Sequence, residues 1–400
     1  MGAGVILASL WGALPARAQY LPSEPIAIAD GRVTIGGDVS ASIGSQDPGF
    51  FNYTDYEHSA LRLLRIDVAG SVKAGEHLAL LGELQTENFN TLRPYALYLR
   101  IRPWRTRALD IQVGRIPPTF GAFARRTYVS ANPLIGYPLA YQYLTTLRPD
   151  ALPATTDELL LKRSTGWLVR YTVGAATPDR GVPLVSAFRW DTGVQVHTSN
   201  DFVSATAAVT TGTVSNPLFR DDNGGRQVAG RVEFRPVAGL VAGSSFARGP
   251  FVTDSAARSV SETAQGATFT QTAWGGDAEY SRSHYIVRAE TIVSAWRVPF
   301  RQQPALTGAL RAYSTSIEGR YTIAPGFYAA ARGDRIDFSE IRGTQGELPW
   351  DAPVSRIEVG VGYSIQRNLL LKGSVQRNQR NGGRLRQQDT LGAAQVVFWF

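Results

Sequence analysis

Apolar and polar residues alternate along most of the chain from residue 30 onward. In residues 64–73 the apolar side chains share one parity and the charged side chains occupy the other. The same alternation recurs at 95–102 and at 356–365. A period of two is typical of a β-strand whose two faces meet different surroundings. The pattern therefore predicts an all-β protein.

Short turns separate some of these segments, and longer polar stretches separate the others. This asymmetry is typical of a transmembrane antiparallel β-barrel, which has short turns at one end and long loops at the other. Counting from both ends of the chain gives sixteen strands, an even number that keeps both termini on one side. The predicted strands span 32–44, 59–73, 77–88, 93–103, 107–115, 185–197, 202–214, 226–236, 239–248, 269–282, 284–297, 309–323, 326–337, 354–365, 368–378 and 389–400.

The even count requires residues 116–184 to form one long outer loop, which we expect to fold inward. A strand at 166–174 would make seventeen, so we expect that segment to lie inside the loop as a hairpin arm. Loops of this length are uncommon unless they have a function. The apolar middle, 132–144, predicts burial against the inner wall or at a subunit interface, with an aromatic track for sugars as the alternative. Shorter outer loops are predicted at 45–58, 249–268, 298–308, 338–353 and 379–388.

The first residues of the chain have the pattern of a secretory signal peptide. An apolar segment at 5–14 precedes the small-x-small triplet Ala16-Arg17-Ala18. The segment before it lacks Lys and Arg, which departs from the usual pattern. We predict a signal peptide at 1–18 and a single barrel domain at 19–400, in which 116–184 is an extracellular or constriction loop.

Composition narrows the classes of function. The formal net charge is +8, but no Lys/Arg run exceeds two residues, so we expect no nucleic-acid partner. The chain has no cysteine, which excludes disulfides and cysteine-bound metal. Only 18% of residues are charged, a small share for a soluble surface, as expected if much of the outside meets lipid.

Together, sixteen alternating strands, one oversized loop and a terminal Phe resemble Gram-negative outer-membrane porins. The segment Leu109–Gly121 is similar to the Gly-basic-x-x-Pro-x-Phe-Gly stretch of phosphate-selective-type porins. The resemblance implies an outer-membrane location, a homotrimer, and contact with lipids, lipopolysaccharide and the barrel-assembly machinery. It also implies an assembly signal at Phe398 and Phe400, with Ala393 at the usual small position and Gln395 in place of the usual Gly.

Opposite charges two residues apart recur on the face opposite the apolar one. An Arg at the bilayer midplane costs roughly 2–4 kcal/mol, so this face is predicted to line a water-filled lumen. The alternative is that the pairs only brace the wall. The predicted lumen-wall residues are Arg65, Asp67, Arg100, Arg102, Arg189, Asp191, Arg231, Glu233, Arg288, Glu290, Arg356 and Glu358.

The long loop carries an excess of basic residues. Eight basic residues stand against four acidic ones between 115 and 180. Charged rings in a narrow pore set ion selectivity, so an inward loop predicts a constriction that favours anions. The alternative places the loop over the mouth or against lipopolysaccharide. The predicted constriction residues are Arg115, Arg125, Arg126, Arg148 and Arg163.

These features predict a porin through which small hydrophilic solutes, including small anions, diffuse passively, with mild anion preference and with no metal or cofactor. The four histidines show no metal-ligand spacing. The chain also lacks the G-x-S-x-G and P-loop motifs of two large enzyme classes. A barrel-embedded hydrolase and a structural or interaction barrel are the alternatives.

Overall fold

The computed structural model describes residues 22, 24–54, 58–104, 108–186, 190–300, 308–382 and 385–400. The predicted signal peptide, 1–18, and Arg189 lie outside the described residues. No helix among the described residues is long and apolar enough to cross a bilayer.

Sixteen antiparallel strands close into one barrel, which confirms the predicted fold class and strand number. Each strand pairs with the next, and the last strand pairs with the first from Asp38↔Trp399 to Gly44↔Ala393. The short segment Ile26–Ile28 extends the seam by pairing with the first strand. The barrel strands are β1 Val33–Gly44, β2 Leu64–Lys73, β3 Leu78–Glu87, β4 Arg93–Ile101, β5 Leu109–Ile116, β6 Asp191–Ser199, β7 Val203–Thr210, β8 Gln227–Val237, β9 Leu240–Pro250, β10 Thr270–Arg282, β11 Tyr285–Trp296, β12 Leu310–Ala324, β13 Phe327–Phe338, β14 Val354–Gln366, β15 Leu369–Gly382 and β16 Leu385–Trp399.

The outer face of the barrel is apolar because one parity of nearly every strand is apolar. In β14, for example, Ile357, Val359, Val361, Tyr363 and Ile365 are all at least 46% exposed, while the alternate residues turn inward. Such a belt fits the hydrocarbon region of a bilayer.

The two ends of the barrel differ. Two-residue turns join β8 to β9, β10 to β11, β12 to β13 and β14 to β15 at the end where β1 begins and β16 ends. Longer connections lie at the other end, including the helix α3, Asp254–Val260, and a hairpin of Glu340–Gly343 with Gly346–Pro349. The predicted loop at 379–388 is wrong, because β15 continues to Gly382 and β16 begins at Leu385. Their polar side chains bond across the pair there, as in Arg380 Nη2 to Gln387 Oε1 at 2.7 Å.

Residues 117–190, which we call the inner loop, connect β5 to β6. It contains a 3₁₀ turn at Phe123–Arg126 and the helices α1, Leu139–Gln142, and α2, Thr156–Leu161. The segment 166–174 is not a barrel strand, as predicted, since Val173–Gly174 pairs with Ala151–Leu152 within the loop. Most buried apolar side chains of the inner loop join wall residues such as Trp296 in one cluster, while Val129, Leu134 and Ile135 belong to two smaller clusters.

Candidate functional site

The inner loop reaches opposite walls of the barrel. The hydroxyl of Tyr128 donates to Glu83 Oε2 of β3 at 2.6 Å, and the hydroxyl of Tyr141 donates to Glu290 Oε1 of β11 at 2.7 Å. Strands β3 and β11 are eight strands apart in a ring of sixteen. The loop therefore crosses the full width of the lumen.

A buried lysine of β15 holds the first part of the inner loop. Lys372 Nζ donates to the carbonyl oxygens of Val129 at 2.6 Å, Asn132 at 2.7 Å and Leu134 at 3.5 Å. Carbonyl oxygens can solvate a buried ammonium in the absence of water. On the neighbouring wall, Asp38 Oδ2 accepts the N–H of Ser130 at 3.2 Å.

Charged residues of β13 and β14 hold the inner loop at Gly136. Glu358 accepts the N–H of Gly136 at 2.9 Å, and Arg332 Nη2 donates to the carbonyl of Gly136 at 2.8 Å. Arg332 and Glu358 also pair with each other at 2.8 Å. A Cβ at Gly136 would come 2.3 Å from Gln376 Nε2 and 2.7 Å from Glu358 Oε2, so a larger residue there would displace these side chains from their present places.

An inner cavity of about 270 Å³ lies near the short-turn end, between the inner loop and β8 to β12. Most of its charged groups pair with one another. Arg231 bonds to Asp277 at 2.6 Å, and Arg288 bonds to Glu279 at 2.6 Å. Charged lining residues are Arg126, Arg231, Glu233, Arg235, Asp277, Glu279, Arg288, Glu290 and Glu318.

The charges that reach the water of this cavity are mostly basic. Arg235, Arg126 and Arg288 have side chains 37%, 19% and 15% exposed. Of the ion-paired carboxylates, Glu279 is 38% exposed, while Glu233, Asp277 and Glu318 are below 10%. Burial and the neighbouring Arg288 lower the pKa of the Arg126 guanidinium.

An outer cavity of about 170 Å³ lies toward the long-loop end. It is lined by the inner loop, by the β1–β2 connection at Tyr53 and Thr54, and by the β7–β8 connection at Ser215 and Asn216. Tyr141 and Gln142 of α1 also line it. Burial, and after it the Glu290 carboxylate, raises the pKa of Tyr141 well above its ordinary value.

The predicted constriction residues lie at different places in the structure, although the sequence predicted that they lie together. Arg126 faces the inner cavity and pairs with Glu318 at 3.1 Å. Arg115 stands in register with Leu97, which is 55% exposed on the outer face, and its guanidinium lies over Phe219, so its predicted place in the constriction is wrong.

Two more of these arginines stabilise the loop itself. Arg148 is buried and donates to Asp150 and to the carbonyls of Val169 and Thr177. Arg163 donates to the carbonyls of Leu160 and of Pro349 in the outer hairpin. Neither lines a described cavity, because each guanidinium is bonded to groups of the loop or of the outer hairpin. The side chain of Arg125 lies outside the described residues.

Most of the predicted wall residues, such as Arg65, Arg231 and Arg356, are buried inside the barrel, whereas Arg102 lies beyond the end of β4 with its side chain 53% exposed. Their partners differ from those the spacing suggested. Arg231 does pair with Glu233, at 3.1 Å. Arg65 instead bonds to Glu87 of β3 at 3.0 Å, because directly opposed residues of adjacent strands are closer than residues two apart. Arg288 pairs across strands for the same reason.

Several wall residues contact the inner loop or a neighbouring element. Arg65 Nη1 donates to the hydroxyl of Tyr137 at 2.7 Å, and Arg356 Nη1 donates to its carbonyl at 3.0 Å. Asp67 is buried beside Arg65. Asp191 accepts backbone N–H groups of the β7–β8 connection and so fixes that connection. Near the short turns, Arg100 stands opposite Ala79, and Arg102 pairs with Asp110 of β5.

The terminal aromatic residues lie on the seam. Phe400 exchanges two backbone hydrogen bonds with Gly37, each of 3.0 Å. The rings of Phe398 and Phe400 are 6.0 Å apart and nearly parallel. Phe398 stands opposite Leu369 and Val39.

Sequence reasoning missed Lys372, Glu83 and Tyr128, and it included Tyr141 only as part of the apolar segment 132–144. The only sequence signal for Lys372 and Glu83 is an isolated polar group at an inward strand position. The only signal for Tyr128 and Tyr141 is a tyrosine in the apolar loop. Among the described residues, no group of three or more His, Cys, Asp or Glu is placed to hold a metal ion.

No family model and no curated protein matches the chain. Solved structures do match. OmpF of Salmonella typhi, in complex with daunomycin, is 12% identical with a TM-score of 0.58, covering 94% of this chain and 100% of its own. The anion-selective porin of Comamonas acidovorans is 11% identical with a TM-score of 0.54, covering 92% and 99%. A trimer form of OmpT, an outer membrane protein of Vibrio cholerae, is 10% identical with a TM-score of 0.51, covering 92% and 99%. The chain therefore has the sixteen-stranded fold of the outer-membrane porins.

Proposed function

We propose that the protein is an outer-membrane porin that lets small hydrophilic solutes diffuse through the lumen, with a mild preference for anions. The observation that carries this proposal is the closed barrel with an apolar outer belt and a charged interior, in which a cavity remains between the wall and the inner loop. The belt meets lipid and lipopolysaccharide, and assembly machinery recognises the terminal aromatics. A homotrimer is proposed from the porin fold, of which OmpT has a trimer form.

The inner cavity supports the anion preference. Three partly exposed arginines, Arg126, Arg235 and Arg288, stand against one partly exposed carboxylate, Glu279. The remaining carboxylates are nearly buried and are bonded to arginines or, for Glu290, to the inner loop, so they contribute less to the electrostatic potential of the cavity water. An excess of accessible positive charge in a narrow, low-dielectric passage raises the local concentration of anions. The preference is mild because Glu279 lies beside Arg288.

Current through the folded protein tests the proposal. Residues 19–400 are refolded and inserted in a planar bilayer under a KCl gradient. We expect discrete current steps and a reversal potential displaced toward that of chloride. Insertion without any steps, by the wild type and by variants that loosen the inner loop alike, would contradict a porin, and a displacement toward potassium would contradict the anion preference alone. Hydrolysis of a lipid or peptide by the same preparation would favour a barrel-embedded hydrolase instead.

A further inference from the structure

Helix α1 lies between the two cavities. Pro138, just before α1, lines the inner cavity, while Tyr141 and Gln142 line the outer one. All four residues of α1 are buried, and Leu139 is fully covered. A solute that moves from one cavity to the other along this side of the lumen must displace α1 or the side chain of Tyr141.

One wall carboxylate holds this partition. Glu290 Oε1 accepts the hydroxyl of Tyr141 and the N–H of Ala122, both at 2.7 Å. Glu290 lines the inner cavity, whereas Tyr141 lines the outer cavity, so their hydrogen bond spans the boundary. Hydrogen bonds to a charged acceptor in a buried site are among the stronger ones in proteins.

Neighbouring residues of the inner loop also hold the ring of Tyr141 in place. Phe123 packs against it with ring centroids 5.2 Å apart. Gly121 lies so close that a Cβ there would come 2.2 Å from the Tyr141 hydroxyl, and its φ of +85° favours glycine. The sequence around 121–123 thus leaves space for one position of this ring.

We propose that Tyr141 and Glu290 form a gate that holds the passage between the two cavities closed, and that conduction requires this hydrogen bond to break. This inference rests on the proposed porin function and adds how the passage is controlled. In the closed state, the buried helix α1 and the side chain of Tyr141 block the passage. The arginines of the inner cavity discriminate between ions only after the gate has opened.

The gate is tested by recording single channels of the wild type, Tyr141→Phe and Tyr141→Ala. Tyr141→Phe removes the hydroxyl and keeps the ring. We expect it to raise the open-to-closed ratio roughly 10- to 100-fold, the range that corresponds to one hydrogen bond to a charged group. Tyr141→Ala should raise the ratio further because the ring no longer fills the partition. Tyr171→Phe is the matched control, since Tyr171 is buried in the same loop and donates to the carbonyl of Thr146, away from the partition.

The outcomes separate the gate from the porin function. Steps with the same open probability in all four proteins would overturn the gate and leave the porin function standing. No current from any of them, Tyr141→Ala included, would overturn both.

Hydrogen exchange gives a second readout that does not depend on conduction. The amide of Ala122 donates to Glu290, so Tyr141→Phe should speed exchange in peptides that cover 121–142 relative to Tyr171→Phe. Equal exchange in the two variants would overturn the gate even if Tyr141→Ala failed to fold.

Discussion

Replacement of Lys372 by Met is expected to loosen the first part of the inner loop. The ammonium is buried and donates to two loop carbonyls at 2.6 and 2.7 Å, while a third contact at 3.5 Å is too long to count fully. Each buried carbonyl left without its donor costs about 1–3 kcal/mol. We take the lower end, because Met removes the cost of burying a charge. For two carbonyls, the free energy of local opening falls by about 2 kcal/mol, which corresponds to roughly a 30-fold larger equilibrium constant for opening.

Hydrogen exchange of the folded protein in micelles measures this change. The amides of Ala131 and Asn132 donate to the carbonyl of Tyr128 and lie inside the anchored segment. We expect them to exchange about 30-fold faster in Lys372→Met than in the wild type. Lys73→Met is the matched control, since Lys73 is exposed at the end of β2. Wild-type exchange at Ala131 and Asn132 in Lys372→Met would show that the lysine does not anchor the loop.

Three further predictions concern selectivity, assembly and backbone strain. Arg126→Ser should move the reversal potential toward zero, whereas Arg163→Ser, away from both cavities, should not; equal shifts would remove Arg126 from the mechanism. Phe400→Ser should lower the fraction of folded barrel in cells, seen as loss of the heat-modifiable band, and a full folded fraction would contradict the assembly signal. Gly121→Ala should lower the free energy of unfolding in urea by about 1–3 kcal/mol, because its φ is +85° and its Cβ would meet a buried hydroxyl, while Gly333→Ala, with open space around it, should change little.

The barrel was predictable because its strands obey a local rule. Each strand has one face toward lipid and one toward the interior, so the alternation of apolar and polar residues marks its position in the sequence. An even number of antiparallel strands allows the last strand to pair with the first. Strand ends were less predictable. Residues 379–388 are polar on both parities, and β15 and β16 continue there because polar side chains such as Arg380 and Gln387 bond across the pair beyond the apolar belt.

The site was much less predictable than the barrel. The contact between Tyr141 and Glu290 joins residues 149 positions apart, and no periodicity relates them. The direction of an arginine in an irregular loop depends on which carbonyls the folded loop brings within its reach, as the bonds of Arg148 to the carbonyls of Val169 and Thr177 show. Cross-strand partners such as Arg65 and Glu87 depend on strand register, which parity does not determine.

Solute uptake by liposomes tests the central claim most directly. Vesicles that contain the folded barrel are diluted into isosmotic solutions of a pentose and of a trisaccharide, and swelling is followed by light scattering. If the lumen is a size-limited passage, the pentose enters and swells the vesicles while the trisaccharide enters far more slowly. Swelling in neither sugar by the wild type or by Tyr141→Ala, with both barrels shown to be folded in the same vesicles, would contradict a diffusion porin.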